Sequence, residues 1–383
     1  MRILLVNRFF GDSHAPTGRM LWDVAARLHT RKHQILVLTS EARYAGGSAA
    51  LGDAAVFDVC HVGQWEQVPR VLNWLWFWLN AVCRIPFMRW DRCVLLTDPP
   101  FLSLAAWAAK LVYGARRRVY LWTMDLYPEA LVASGRMSKQ GLAYKALRAL
   151  ANLGLRRVDG VIALGETQMR RLAAYTAWRS DERFAIVVPP WDERPLPRMA
   201  PNENPVLARF GWHGRKVAVY AGNLGEGHTF EEFVDAARAL NTQGRTDWVF
   251  AFFVRGARVA ALKRAATDLS NVVVHDYLPD AETAALLWSA TVHLISMQPG
   301  WEGVIVPSKL YGVLKTDAPV LFVGPRDAET AVEIARLRRG QRLALGCDGA
   351  SLVAALGELE GQAASPSSGN QRAADRVALF IEA

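Results

Sequence analysis

The stretch Met297-Gln298-Pro299-Gly300-Trp301-Glu302-Gly303-Val304-Ile305-Val306-Pro307-Ser308-Lys309-Leu310-Tyr311 follows directly on a short apolar run at 292–296. The run predicts a buried strand and the Gly- and Pro-bearing segment a loop. Pro307 sits where a new helix is expected to begin, because proline is preorganised for a first helical turn. Strand, loop and helix in that order are one repeat of a parallel α/β sheet. A helix start exposes free N–H groups and the positive end of the dipole, which suits a diphosphate. Ser308 and Lys309 add a hydroxyl and a cation there, while Gly300 and Gly303 let backbone approach a ligand closely. The same stretch also fits an ordinary strand–turn–helix corner with a surface lysine.

Working outward, the pattern repeats. Apolar runs at 3–6, 34–39, 56–60, 93–97, 119–123, 160–164 and 185–188 read as strands of the first half. Runs at 217–221, 248–254, 272–275, 292–296, 320–323 and 342–345 read as strands of the second. Amphipathic stretches such as 20–28, 141–155 and 230–240 separate them. Apolar strands alternating with helices predict parallel sheets covered on both faces. Prolines at 189, 190, 195, 197, 201 and 205 mark a linker between the halves. At 383 residues, two doubly wound domains are the expectation, with ligands at the carboxyl ends of the strands and in a cleft between the domains. The boundaries expected are 1–190 and 191–365, with a terminal helix at 366–383 after the Ser- and Pro-bearing break.

Other strand ends carry candidate chemistry. Gly222-Asn223 opens a glycine-bearing turn that runs through Gly225 and Gly227, although the spacing is not that of a dinucleotide fingerprint. Arg255 ends another strand, where it can pair with phosphate or stand as a solvated cation. Asp125 and Glu129 follow the strand at 119–123, placed to bind sugar hydroxyls or to assist proton transfer. The alternative is a turn cap and a solvated carboxylate. Gly18 and Arg19 belong to a Pro-Thr-Gly-Arg loop before the first helix, which lines the cleft floor or simply caps that helix.

Charge is unevenly spread. The net charge is +9. Residues 1–190 carry 25 Lys and Arg against 14 Asp and Glu, and the remainder 20 against 22. A basic half implies an anionic partner. The neighbouring run Val71-Leu72-Asn73-Trp74-Leu75-Trp76-Phe77-Trp78-Leu79, followed by Arg84, Arg89 and Arg92, favours a lipid surface over nucleic acid. The segment at about 70–92 is therefore expected to face a membrane through Trp74, Trp76, Phe77 and Trp78. A buried core helix is the competing reading, and the run is short for a membrane span, which needs roughly 20 residues. Cys60, Cys83, Cys93 and Cys347 lack metal-ligand spacing, and the first apolar run is too short for a signal peptide, so a reduced cytoplasmic setting is expected.

Several of these segments together resemble the family 4-type glycosyltransferases, and within them the bacterial O-antigen, capsule and exopolysaccharide transferases of the fucosamine-transferase kind. The resemblance spans nearly the whole chain. It rests on the Pro-Thr-Gly-Arg segment, Thr97-Asp98-Pro99-Pro100, Trp122-Thr123-Met124-Asp125-Leu126-Tyr127-Pro128-Glu129 and Tyr220-Ala221-Gly222-Asn223 with His228. Its most specific part runs from Pro299-Gly300-Trp301-Glu302-Gly303 to Val306-Pro307-Ser308-Lys309-Leu310-Tyr311-Gly312. It implies the GT-B fold, two Rossmann-like domains facing across a cleft, and a retaining transfer from a nucleotide diphosphate sugar held by the C-terminal domain. UDP is the expected nucleotide, and neither metal nor other cofactor is implied; no Asp-x-Asp occurs in the sequence.

On that resemblance Glu302, Lys309 and Asp125 are the catalytic candidates. Gly222, Asn223, Arg255, Gly303, Val304, Pro307, Ser308 and Tyr311 are the donor-side ones, and Gly18, Arg19 and Glu129 the acceptor-side ones. The expected acceptor is a polyprenyl-diphosphate-linked saccharide at an anionic membrane surface, with no nucleic-acid partner. Gly312 stands where the wider family has a second glutamate, and Lys315-Thr316-Asp317 replaces its small-residue turn. A nucleotide-sugar 2-epimerase of the same fold and a non-catalytic membrane-associated subunit remain as alternatives. A Rossmann dehydrogenase is disfavoured because no GxGxxG follows the first strand.

Overall fold

The computed structural model describes residues 1–11, 15–40, 56–65, 67–181, 183–362 and 372–383. Thirteen strands form two sheets among these residues. The first sheet holds β1 (Arg2–Val6), β2 (Gln34–Ser40), β3 (Asp58–Val62), β4 (Arg92–Leu96), β5 (Arg118–Trp122), β6 (Gly160–Ala163) and β7 (Ala185–Val187), in the order β3-β2-β1-β4-β5-β6-β7. The second holds β8 (Lys216–Asn223), β9 (Trp248–Arg255), β10 (Val272–His275), β11 (Val292–Ser296), β12 (Val320–Val323) and β13 (Gly340–Leu343), in the order β10-β9-β8-β11-β12-β13. Every pairing is parallel. The reason is visible in the strands: Ile3, Leu4, Leu5 and Val6 are all fully buried, as strands covered on both faces must be. Each sheet has one point where its strand order turns back, between β1 and β4 in the first and between β8 and β11 in the second. Such switch points are where ligands sit in open α/β sheets.

The first compact unit comprises Met1–Asp192, Gly303–Val306 and a C-terminal segment. Its helices are α1 (Pro16–Thr30), α2 (Arg70–Arg84), α3 (Ala105–Tyr113), α4 (Glu129–Ala133), α5 (Leu142–Leu155) and α6 (Glu166–Ala173). On one face of the sheet, Met20, Leu21, Val24, Ala25 and Leu28 of α1 are buried. On the other, α2, α3 and α5 cover a second cluster through residues such as Phe77, Ala81, Ala105, Ala106, Ala109 and Leu155.

The second unit comprises Glu193–Glu302 and Pro307–Gly369. Its helices are α7 (Pro205–Phe210), α8 (Glu231–Thr242), α9 (Val259–Ala265), α10 (Asp280–Trp288), α11 (Lys309–Val313), α12 (Glu329–Leu337) and α13 (Gly349–Leu359). One core lies under α8 and α13, around Tyr220, Phe233, Trp248, Phe252 and Leu356. The expected break at 364–369 lies outside the described residues.

The last helix, α14 (Ala373–Glu382), belongs to the first unit. Ala373, Ala374, Val377, Ala378 and Ile381 are fully buried in the cluster shared with α1. Burial of the Val and Ile side chains alone is worth about 1.5–3 kcal/mol each. Arg31 on the α1 side fixes the helix further, with hydrogen bonds to Asp375 at 3.0 Å and Glu382 at 3.1 Å.

Two local expectations change. The Pro-Thr-Gly-Arg segment is not a loop, because Pro16 starts α1 and Gly18 and Arg19 form its first turn, with the Gly18 N–H donating to Ala15 O at 3.0 Å. And α2 does not present its aromatic residues outward. Helical periodicity turns Phe77, 1% exposed, onto the sheet together with Ala81. Trp76 stacks on Trp65 with centroids 5.1 Å apart, and the Trp78 indole N–H donates to Phe101 O at 3.2 Å. Trp74 is half-buried beneath the Arg70 guanidinium. The large apolar residues that α2 leaves exposed are aliphatic: Val71, Leu72, Leu75 and Leu79.

Candidate active site

In the second unit, the carboxyl ends of β8 and β11 meet at the switch point. Lys309, the first residue of α11, reaches back to the end of β8. Its Nζ donates to the Tyr220 hydroxyl at 2.8 Å and to Asn223 O at 3.3 Å, and lies 4.0 Å from the Tyr220 ring centroid. Among the described residues no carboxylate pairs with this ammonium. Burial without a counter-charge pulls its pKa down to about 7. Gly222 holds a φ of +124°, a conformation a side chain rarely adopts, and so brings the β8 end around under the lysine.

A second layer supports the first. His228 Nδ1 lies 2.7 Å from Ser296 O at the end of β11. A carbonyl can only accept, so Nδ1 carries the proton. Burial, and then the nearby Lys309, lower the imidazole pKa to about 3, and the ring is neutral. Ser296 Oγ donates to Thr229 O at 2.6 Å and accepts from Thr229 N at 3.2 Å, which fixes the turn after His228. Arg258 grips the same turn through the His228 carbonyl and the Glu231 carboxylate, its guanidinium over the Phe230 ring. The arrangement is a positive, protein-enclosed site next to backbone at a switch point, which suits a phosphate-bearing ligand.

The donor-side candidates divide. Lys309, Gly222 and Asn223 come together. Pro307 and Ser308 precede α11, which starts two residues later than expected and runs for only five; so short a helix contributes little dipole, and the positive charge comes from Lys309 itself. Arg255 is committed to Asp276 in a two-point pair, with Nη2 3.0 Å from Oδ2, over the Tyr277 ring. Tyr311 is buried, and burial pushes its hydroxyl pKa up, with Glu333 and Glu329 adding to the rise. Glu302 accepts the Gly300 N–H at 3.1 Å. Gly303 and Val304 belong to the first unit. There Gly303, at φ +66°, packs so closely that a Cβ would lie 2.6 Å from Thr167 backbone, and Val304 O accepts the Leu126 N–H at 3.0 Å.

In the first unit the ends of β4 and β5 open into a small cavity of about 50 Å³, whose lining includes Thr97, Phe101, Thr123, Asp125, Tyr127 and Tyr175. Asp125 faces water yet is surrounded by protein. That desolvation, with Asp98 adding to it and Arg70 opposing, raises its carboxyl pKa to about 6. Beside it, Arg8 is buried and donates to Asp98 at 3.2 Å across the β1–β4 switch point. Glu129 is not available to a ligand. Its carboxylate is buried, paired with Arg148 and hydrogen-bonded by the Tyr175 hydroxyl at 2.8 Å.

Sequence reasoning missed Arg8, Arg258 and Gln168. Gln168 is fully buried, donates to Met124 O at 2.7 Å and accepts the Leu164 N–H at 2.8 Å, so it ties the β5 and β6 ends to α6. The available signal was position: Arg8 and Arg258 each lie within four residues of a predicted strand end. Among the described residues no group of three His, Cys, Asp or Glu side chains is placed to hold a metal ion.

No family model matches the chain. It is 28% identical over 247 residues to a probable glycosyltransferase, WbjE of Pseudomonas aeruginosa, and that match covers 63% of this chain and 59% of the relative. Among solved structures, WaaG, a glycosyltransferase involved in lipopolysaccharide biosynthesis, superposes with a TM-score of 0.67 at 14% identity, over 100% of this chain and 95% of that one. Alr3699/HepE of Anabaena, solved in complex with UDP and glucose, gives 0.65 at 17%, over 100% and 97%. The fold is that of the GT-B glycosyltransferases.

Proposed function

We propose that this protein is a glycosyltransferase that moves a sugar from a nucleotide diphosphate sugar, with UDP as the nucleotide, to a lipid-linked saccharide in surface-polysaccharide synthesis. The observation that carries the reading is the enclosed Lys309 ammonium at the β8–β11 switch point, with no carboxylate paired to it among the described residues. The 28% identity to a probable glycosyltransferase and the structural likeness to a UDP and glucose complex support it.

In this reading the bond between the sugar's anomeric carbon and the β-phosphate oxygen breaks. Lys309 stabilises the charge that gathers on the departing diphosphate, and Glu302 orients the sugar hydroxyls. The acceptor oxygen forms the new bond with retention of configuration, and its proton leaves to a base. Asp125, with its carboxyl pKa raised to about 6, is the residue we assign to the acceptor hydroxyl. No metal or other cofactor enters the scheme. The enzyme works as a peripheral protein on the inner face of the plasma membrane; among the described residues no helix is long and apolar enough to cross it.

The test is a thermal-shift panel of UDP-, GDP- and dTDP-sugars, followed by product analysis with and without a lipid-linked acceptor. Stabilisation by a UDP-sugar and acceptor-dependent release of UDP are expected. Isomerisation of the sugar nucleotide without acceptor identifies an epimerase instead. Binding without any turnover identifies a non-catalytic subunit.

A further inference from the structure

The helix layer on one face of the first sheet has an outer surface unlike the rest of the molecule. Helices α2, α3 and α5 bury their inner sides in one shared cluster, so their opposite sides all point away from the same sheet face. On α2 that outer side is Leu72, Leu75 and Leu79, at i, i+3 and i+7. On α3 it includes Leu111, 81% exposed, opposite buried Ala105, Ala106 and Ala109; on α5 it includes Leu142, 83% exposed, opposite buried Tyr144 and Leu155. Phe87, between α2 and β4, is 83% exposed. Single exposed apolar residues are ordinary, but large ones repeated over three adjacent helices are not.

The charges on this layer have one sign. None of α2, α3 and α5 contains an Asp or Glu. Arg84, Arg89, Arg116 and Lys145 stand exposed on or beside them, and no carboxylate pairs with any of the four among the described residues. A second copy of the chain apposed through this face would set cation against cation. An anionic bilayer surface matches both features, since aliphatic side chains can enter the headgroup boundary while arginine and lysine meet lipid phosphates.

We propose that the outer face of α2, α3 and α5 docks this protein on an anionic lipid bilayer. The inference rests on the membrane-surface reading above and assigns it to aliphatic residues on three helices, in place of the α2 aromatic residues that the fold turns inward. The contact is a surface one: aliphatic insertion contributes a salt-resistant part, and the cations a part that salt screens.

The full chain is sedimented with phosphatidylcholine vesicles and with vesicles of phosphatidylcholine and phosphatidylglycerol in a two-to-one mixture. Binding to the mixed vesicles at low salt is expected, weakened but not abolished by added salt. Leu79→Asp, Leu111→Asp and Leu142→Asp combined should lower the partition coefficient at least tenfold with an unchanged melting curve, because all three side chains are exposed. Val332→Asp, a change at an exposed aliphatic residue of the second unit, should leave binding unchanged. Absence of binding to the mixed vesicles, wild-type binding by the triple variant, or an equal loss in the Val332→Asp control overturns the proposal. So does a concentration-dependent dimer in equilibrium sedimentation that the triple variant dissolves. Transfer to a soluble acceptor is measured separately: if vesicle binding behaves as expected and no sugar is transferred, the docking face stands and the transferase reading fails.

Discussion

Lys309 Nζ and the Tyr220 hydroxyl oxygen are 2.8 Å apart, and the same ammonium lies over the tyrosine ring. Among the described residues the lysine is thus held by two neutral acceptors, the Tyr220 hydroxyl and Asn223 O, and by a π-face, and by no anion. A group enclosed in this way is short of one negative charge, which a diphosphate supplies. Lys309→Ala should therefore reduce transfer by about two to three powers of ten, the usual cost of removing one preorganised charge-stabilising group. Turnover close to wild type in a folded variant would remove Lys309 from the mechanism.

Acidity gives an independent reading of the same residue. With its pKa near 7 in the free protein, affinity for an anionic nucleotide should hold below pH 7 and fall as the pH rises above it. Stability runs the other way. In the unfolded chain the lysine titrates near its ordinary 10.5, so between pH 7 and about 10.5 the unfolded state binds more protons. The contribution of this group to ligand-free stability should therefore rise with pH across that window and be least favourable below pH 7. Thermal melts of wild type and Lys309→Met from pH 6 to 10 check this: the difference between them should move in favour of wild type as the pH rises.

Glu302 accepts a hydrogen bond from the neighbouring Gly300 N–H. If its carboxylate orients the donor sugar, Glu302→Gln should lower the rate at saturating donor and leave affinity for the free nucleotide largely intact. Calorimetry with UDP and initial rates with the UDP-sugar separate the two effects. Lost UDP affinity with an unchanged maximal rate would place the residue at the nucleotide instead.

Glu129 should behave as a structural residue. Glu129→Ala leaves Arg148 and the Tyr175 hydroxyl without their buried partner, at a cost of about 3 kcal/mol. Denaturant melts should show that loss, with KM for both substrates unchanged in the fraction that stays folded. A selective rise in acceptor KM at full stability would restore its acceptor role.

Gly312 lies inside α11, and a Cβ there would meet nothing within 4 Å. Gly312→Ala should raise stability by about 0.5–1 kcal/mol, the ordinary helix gain over glycine. A thermal melt measures it. A drop instead would mean that the strand-end side of α11 is closer packed than its open surroundings show.

Most of the fold was legible because strands buried on both faces are continuous apolar runs, which need no partner to be recognised. All thirteen strands were located in this way, with β3 placed two residues early and β13 two residues late. Orientation was harder to read. The tryptophans of α2 can serve lipid or core equally, and only the positions of Phe77 and Ala81 against the sheet decide which way the helix rolls. Lys309 was visible as a cation near a loop, but its acceptors, Tyr220 and Asn223, lie on a strand far away in sequence. The pairing of Glu129 was hidden for the same reason: its partners Arg148 and Tyr175 come from α5 and from the residues following α6.

The position of α14 has a consequence for how the protein is made. Val377 and Ile381 complete the hydrophobic cluster built by β1, α1 and β5, all of which leave the ribosome much earlier. A nascent chain carrying residues 1–192 therefore has the part of that cluster beneath α14 still open to water and to chaperones. The second unit takes its residues from Glu193–Glu302 and Pro307–Gly369, so its core can close while the first still waits. The first unit is thus begun before the second and completed only after residues 373–382 have emerged.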